Sequence, residues 1–282
     1  MNKNLFILCD HGLGNRLGSL VGGLKTAELL GYTPVVCWPI NNWCQAEFNE
    51  LFRCPVKLET NEFSTSIVNQ IHDKGLPFFF ISQFTDNQID KNFYENSLPA
   101  VEEIRKLNSD ALFSCAKLPK SYVSKEDVSR YLKYLGISKS IGRAVETFSL
   151  QNRIDKNVIG IHIRKTDSAN QIDENIVFEN IKSTPAQRYF ICSDDKSIED
   201  RFKTLPNVTL FPKSTYVEKL QDGQWRDNVK DDNGRNIIFN MNRPKQAIIE
   251  AFVDMLLLSK TRIDRMGKST FRAMAERYSG IV

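Results

Sequence analysis

The sequence contains no Asp-x-Asp triplet, no Cys-x-x-Cys pair among its six cysteines, and only three histidines, His11, His72 and His162. The first absence removes the acidic pair that commonly holds a divalent cation against a diphosphate. The other two leave too few soft ligands for a zinc site, so no metal is expected. Lysine and arginine form no long run and the net charge is +4, which argues against nucleic acid as a partner. A mild positive excess still suits a small polyanion such as a nucleotide diphosphate. No window of about 18 apolar residues occurs, so no transmembrane helix is expected. Met1 to Cys9 is too short for the apolar part of a signal peptide, because Asp10-His11-Gly12 follows at once. A cytoplasmic protein with reduced thiols is the expectation, Cys9 and Cys192 acting as small buried hydrophobes within apolar runs.

Two nucleotide fingerprints are incomplete as well. In Gly12-Leu13-Gly14-Asn15-Arg16, Leu17 stands where a dinucleotide motif has its third glycine, and Gly18 comes one residue late. A Walker A loop is missing from both places that approach one. Gly22-Gly23 is followed by Leu24 instead of Lys, and Gly267-Lys268-Ser269 has Arg262 where the first glycine belongs.

What is present reads as an ordinary globular chain. Its 282 residues, 41% hydrophobic and 26% charged, can bury a core without disulfides. Asn4–Cys9 is a continuous apolar run suited to a buried parallel strand. A glycine turn follows, then helical spacing over Asn15–Leu30 closed by Gly31, then a strand over Thr33–Trp38. Further strands are expected at 77–82, 111–115, 158–164, 188–192 and 208–211. Helices are expected at 100–107, 125–135, 140–150, 173–182, 197–204, 244–259 and 270–278. Strands alternating with helices imply an α/β fold with parallel sheets. Two such sets suggest two Rossmann-like halves, residues 1–152 and 153–282. The polar stretch 221–236 reads as a long mobile loop.

Four segments carry candidate chemistry. Gly12, Gly14 and Asn15 open a helix after a strand, where free N–H groups and the helix dipole attract anions; a tight turn without a ligand fits the same residues. His162-Ile163-Arg164-Lys165-Thr166-Asp167 ends a strand, the edge at which open α/β sheets bind ligands. Alternation puts His162 and Arg164 on one side, and Arg164 suits bidentate phosphate recognition. A surface pair with Asp167 and a core histidine are the competing readings. Glu250 and Asp254 lie four apart in a helix apolar nearly all round, so each needs a donor. Guanine's N1–H and N2 amine form a matching donor pair; a salt bridge to a nearby Arg or a helix-capping role are the competing readings. Ser269 and Thr270 open the last helix, as phosphate ligands or as an ordinary N-cap.

Together these segments resemble the fucosyltransferase superfamily that includes the α1,6-fucosyltransferases, the nodulation fucosyltransferases and the protein O-fucosyltransferases. The resemblance rests on the Gly12–Arg16 loop, on His162–Asp167, on Ile191-Cys192-Ser193-Asp194-Asp195, on Asp254–Ser259 and on Ser269-Thr270-Phe271. It implies a GT-B-type fold, two Rossmann-like halves facing a cleft, with residues 1–152 on the acceptor side and 153–282 binding a nucleotide-sugar donor. It implies inverting, metal-independent transfer of a sugar from a GDP-sugar co-substrate, usually GDP-fucose, to a glycan or glycoconjugate acceptor, as in polysaccharide biosynthesis. Arg164 falls on the β-phosphate, Asp254 with His162 on guanine, and Asp195 in a donor-side motif. The sequence departs from the pattern at Lys165, Ser168, Ile172, Arg272 and Ala273. Asp173 and Glu174, beside Ile172, become the first carboxylates expected to take the acceptor's proton, and Asp10 the next. A nucleotide- or glycan-binding protein without catalysis, the same chemistry with another donor, and a nicotinamide-dependent oxidoreductase are the alternatives.

Overall fold

In the computed structural model the described residues are 3–76, 79–94, 102, 105–106, 109–115, 118–166, 172–230, 236–237, 239–266 and 269–281. They divide into two units, one of residues 1–41 and 47–136, the other of 42–46 and 137–282.

Strand alternation organises the first unit. In β1 (Asn4–Leu8), Phe6 and Leu8 face one side, where they join a buried cluster with Ile67 and Ile71. These two come from a helix of Asn61–Asp73. Ile7 faces the opposite side, against α1 (Leu13–Leu30). A Cβ on Gly23 would stand 2.3 Å from Ile7 Cγ2, and one on Gly22 would stand 2.7 Å from Pro119 Cδ. The glycines of the incomplete Walker motif are therefore close-packing residues. Gly31, at φ 70°, ends α1 in the left-handed conformation expected of a C-cap.

The sheet continues through β2 (Thr33–Cys37), β3 (Lys57–Leu58), β4 (Phe79–Thr85), β5 (Gln88–Tyr94) and β6 (Asp110–Cys115), in the order β3-β2-β1-β6-β4-β5. Strands β1, β2, β3 and β6 run parallel, but β4 is antiparallel to both β6 and β5. An all-parallel sheet is thus corrected to a mixed one. A two-residue hairpin at Asp86-Asn87, both at positive φ (49° and 62°), sets β5 antiparallel to β4 by returning the chain directly instead of through a helix. The short helix α2 (Phe48–Leu51), α3 (Asn61–Asp73) and α4 (Lys125–Leu135) complete the unit's described helices. The helix expected at 100–107 lies largely outside the described residues.

The second unit holds α5 (Lys139–Gln151), β7 (Ile159–Ile163), α6 (Glu174–Lys182), β8 (Tyr189–Ser193), α7 (Lys196–Phe202) and β9 (Val208–Thr209). It continues with β10 (Val229–Lys230), β11 (Asn236–Ile237), α8 (Lys245–Lys260), β12 (Arg262–Ile263) and α9 (Thr270–Tyr278). Its main sheet is wholly parallel, in the order β12-β7-β8-β9. Ile161, Ile163 and Ile191 pack on Val177 and Ile181 of α6 and Ile198 and Phe202 of α7. Gly160 faces the other way, and a Cβ there would lie 2.6 Å from Leu258 of α8. The unit therefore has helices on both faces, as a Rossmann-like arrangement requires.

Helix α5 packs against α8 and belongs to the second unit. Residues 42–46 join that unit through Arg243 N–H on Asn42 O at 2.8 Å and Gln45 on Asn242 Oδ1 at 2.6 Å. The loop expected over 221–236 includes the paired strands β10 and β11. Fully buried Asn240 organises its start, accepting from Leu220 N and Gln221 N and donating to Gln221 O at 2.7 Å. Among the described residues no helix is long and apolar enough to cross a membrane.

Candidate functional site

The C-terminal end of β7 collects the first cluster. His162 is buried and stacks on Phe271 of α9, with ring centroids 4.5 Å apart. Its Nδ1 lies 3.2 Å from Ser269 Oγ. Burial pushes its pKa down to about 3, and the positive Arg164, Lys213 and Arg272 add to this. The ring is therefore neutral at pH 7, with one donor and one acceptor nitrogen. Arg164, one-fifth exposed, has Nε 3.8 Å from Asp194 Oδ2. Asp194 is itself held by Lys165 N at 2.8 Å and Thr166 Oγ1 at 2.5 Å. One Arg164 partner thus comes from the end of β8; Asp167 lies outside the described residues. Ser269 caps α9 by accepting from Arg272 N at 3.3 Å, and Thr270 beside it is exposed. The cap and the histidine contact coexist.

Three expected residues are occupied locally. Asp195 caps α7, accepting from Ser197 N at 2.8 Å and Ser197 Oγ at 2.5 Å. Asp173 caps α6 through Asn175 N at 2.9 Å and Ile176 N at 3.4 Å. Glu174 pairs with Lys165.

The buried carboxylates of α8 find partners that sequence reasoning missed. Lys213, in the segment after β9, donates to Asp254 Oδ2 at 2.9 Å and pairs with Glu199 Oε1 at 2.5 Å. It also bonds the Ser193 carbonyl. Glu250 accepts from Ser214 N, Ser214 Oγ at 2.8 Å, Thr215 N at 3.0 Å and Gln246 Nε2 at 2.9 Å. Two carboxylates one helical turn apart thus pin successive residues 213–215. Glu250 is filled by backbone and hydroxyl donors. Asp254 is only half filled: its Oδ1 is buried and accepts no hydrogen bond among the described residues. Burial pushes the Asp254 carboxyl up to about 7, against Lys213 and reinforced by Glu199. Burial works against the Lys213 ammonium, yet the two carboxylates raise its pKa and keep it charged. A single cation between two carboxylates leaves surplus negative charge, which is why one carboxyl binds its proton more tightly.

In the first unit Gly12 is the N-cap of α1, with no side-chain cap; the amides of Asn15 and Arg16 bond to its carbonyl. Gly14 is buried and Asn15 half-buried in the first turn. Arg16 is wholly buried, donating through Nε to His11 O at 2.7 Å, Nη1 to Pro39 O at 2.8 Å and Nη2 to Asn41 Oδ1 at 3.1 Å. It also lies over the Trp38 ring. Asn41 in turn donates to Asp10 Oδ1 at 2.8 Å. The motif's arginine is thus the fastener of the turn. Among the described residues no group of three or more His, Cys, Asp or Glu side chains is arranged to hold a metal ion.

No protein-family model and no curated protein sequence matches this chain. Solved structures do. Fucosyltransferase NodZ from Bradyrhizobium superposes with a TM-score of 0.59 at 16% identity, covering 98% of this chain and 93% of that one. NodZ α1,6-fucosyltransferase soaked with GDP-fucose gives 0.58 at 16% identity, over 98% and 92% of the two chains. A mutant of Arabidopsis thaliana FUT1 in complex with GDP gives 0.53 at 14% identity, over 99% of this chain and 69% of that one. The fold is therefore that of the fucosyltransferases, a glycosyltransferase fold of two α/β units.

Proposed function

We propose that this protein is a glycosyltransferase that moves fucose from GDP-fucose to a glycan hydroxyl, with inversion and without a metal. The observation that carries the reading is the half-filled Asp254 carboxylate, Oδ1 buried without a hydrogen bond among the described residues. It shares a unit with the Arg164, His162 and Ser269 group on a fold also seen with GDP and GDP-fucose. Guanine supplies the N–H donors that such an oxygen lacks. In this reading Asp254 and His162 hold the base, and Arg164 the β-phosphate. Ser269 and Thr270 at the start of α9 stabilise the departing diphosphate, and the Gly12, Gly14 and Asn15 turn is the first unit's own anion-binding candidate. The second unit is the donor side and the first the acceptor side.

A second reading, a GDP-sugar-binding protein without catalysis, is favoured by one observation: Asp173 and Glu174 are engaged in a cap and an ion pair. All six cysteines are buried and none forms a disulfide, which suits a reducing compartment. Thermal unfolding with GDP, UDP, ADP and NAD, each with and without EDTA, tests the donor. GDP at about 100 times its dissociation constant adds roughly 2.7 kcal/mol. A shift with GDP alone, unaffected by EDTA, is expected; equal shifts with UDP or ADP overturn the guanine assignment. Release of fucose from GDP-fucose then separates enzyme from binder.

A further inference from the structure

Lys213 is held more firmly than charge balance alone requires. Its side chain is only 5% exposed, and an ammonium has three N–H donors. All three find acceptors: Asp254 Oδ2 at 2.9 Å, Glu199 Oε1 at 2.5 Å and the Ser193 carbonyl. Glu199 has further donors of its own. Its Oε1 accepts from Ser193 N at 2.9 Å and its Oε2 from the Tyr216 hydroxyl at 2.7 Å. The ammonium is thereby tied to the end of β8, to α7 and to α8. Glu250 secures the backbone beside it, accepting from the amides of Ser214 and Thr215. A lysine stem ordinarily keeps much rotamer freedom; this one is fixed at both ends.

The effect on Asp254 is asymmetric. Oδ2 is engaged by Lys213, while Oδ1 is buried and accepts no hydrogen bond among the described residues. An ion pair that served stability alone would be satisfied at both oxygens, because an unfilled buried acceptor is costly. Holding Oδ2 stops the carboxylate from turning, so the same oxygen stays open. Of the titratable groups around Asp254, Glu199 and Glu250 repel its charge. Cys192 on β8 and Tyr216 feel the Asp254 charge and are neutral at pH 7, because burial raises both. His162 at the end of β7 is neutral as well. Lys213 is the cation that opposes burial and the two glutamates.

We propose that Lys213 is the positioning residue for guanine: it anchors Asp254 through Oδ2 and so presents Oδ1, as a charged acceptor, to the N–H donors of the base. This rests on the GDP-sugar reading. Glu199 is the counterweight that keeps the ammonium in place. The donors of guanine need the ionised carboxyl, since a protonated one carries a donor of its own. Burial pushes the Asp254 carboxyl up to about 7, so GDP binding weakens as pH falls through neutrality.

The test is calorimetric titration of the full chain with GDP at a series of values between about pH 5 and 9. Lys213→Met keeps the stem and removes the charge. Its GDP affinity is expected to fall by about 10–100-fold at pH 7, the usual effect of losing a hydrogen bond to a charged group. The affinity recovers at higher pH, with the midpoint about one pH unit or more above that of the wild type. Glu199→Gln removes a repelling carboxylate at nearly constant shape and moves the midpoint the other way. A residue that only holds the fold together lowers affinity by the same factor at every pH. Ionisation of the GDP phosphates is common to all three proteins and cancels in the comparison. An unmoved or reversed midpoint in either folded variant overturns the positioning role and leaves the GDP assignment intact. If Lys213→Met does not fold, Glu199→Gln decides alone. Absence of GDP binding by the wild type at every pH overturns the guanine reading, and this proposal with it.

Discussion

Arg164 stands at the end of β7 with its guanidinium 3.8 Å from Asp194, so it is placed before any ligand arrives. Preorganised donors of this kind are worth about 10²–10³ in rate. Arg164→Ala is expected to lose that much GDP-fucose turnover, and full activity in a steady-state assay would sink the leaving-group role. His162 makes a prediction about stability. Its folded pKa, about 3, lies below the ordinary 6.5. Between those values the unfolded chain binds more protons than the folded one. The contribution is therefore complete above pH 6.5 and is lost as pH falls. About 2 kcal/mol should disappear between pH 7 and 5. Urea titrations at the two pH values should show this loss in wild type relative to His162→Gln; identical pH slopes would contradict it. At this scale strand alternation made His162 and Arg164 legible. Lys213 was not, because it reaches Asp254 across 41 positions and nothing in its own neighbourhood marks it as buried.

Helix ends and helix faces hold other residues in place. Asp173 satisfies two amides at the start of α6, so Asp173→Ala should cost about 1 kcal/mol of stability while GDP affinity and turnover stay unchanged. A large loss of turnover in the folded variant would instead return Asp173 to the reaction. On α1, the 2.3 Å approach to Ile7 leaves no room at Gly23. Gly23→Ala should destabilise by about 1–3 kcal/mol through overpacking, read as a lower denaturant midpoint at constant slope; an unchanged midpoint would refute the packing role. Periodicity found α1, α5 and α8 because long buried or amphipathic helices repeat their pattern over several turns. It misjudged the direction of β4 because a single apolar strand carries no sign of whether its partner runs parallel. Asp86-Asn87, a pair suited to a two-residue hairpin, marks only the return from β4 to β5.

For the whole molecule, the alternation of strands and helices in the sequence determined the α/β class, the strand ends and the glycine-opened helix, since each depends on neighbours within a few residues. The tertiary structure alone decided the rest. It placed α5 in the second unit, because α5 packs against a helix about a hundred residues later. It divided the acidic residues by what surrounds them. Glu250 accepts from Ser214 and Thr215, Asp195 and Asp173 cap helices, and Asp254 Oδ1 is buried without a hydrogen bond among the described residues. It also turned His11 from one residue of a glycine turn into a side chain held over a cavity by Arg16. The physical reason is common to all three. Packing, burial and charge are set by side chains brought together from distant positions, and local sequence does not encode which ones arrive.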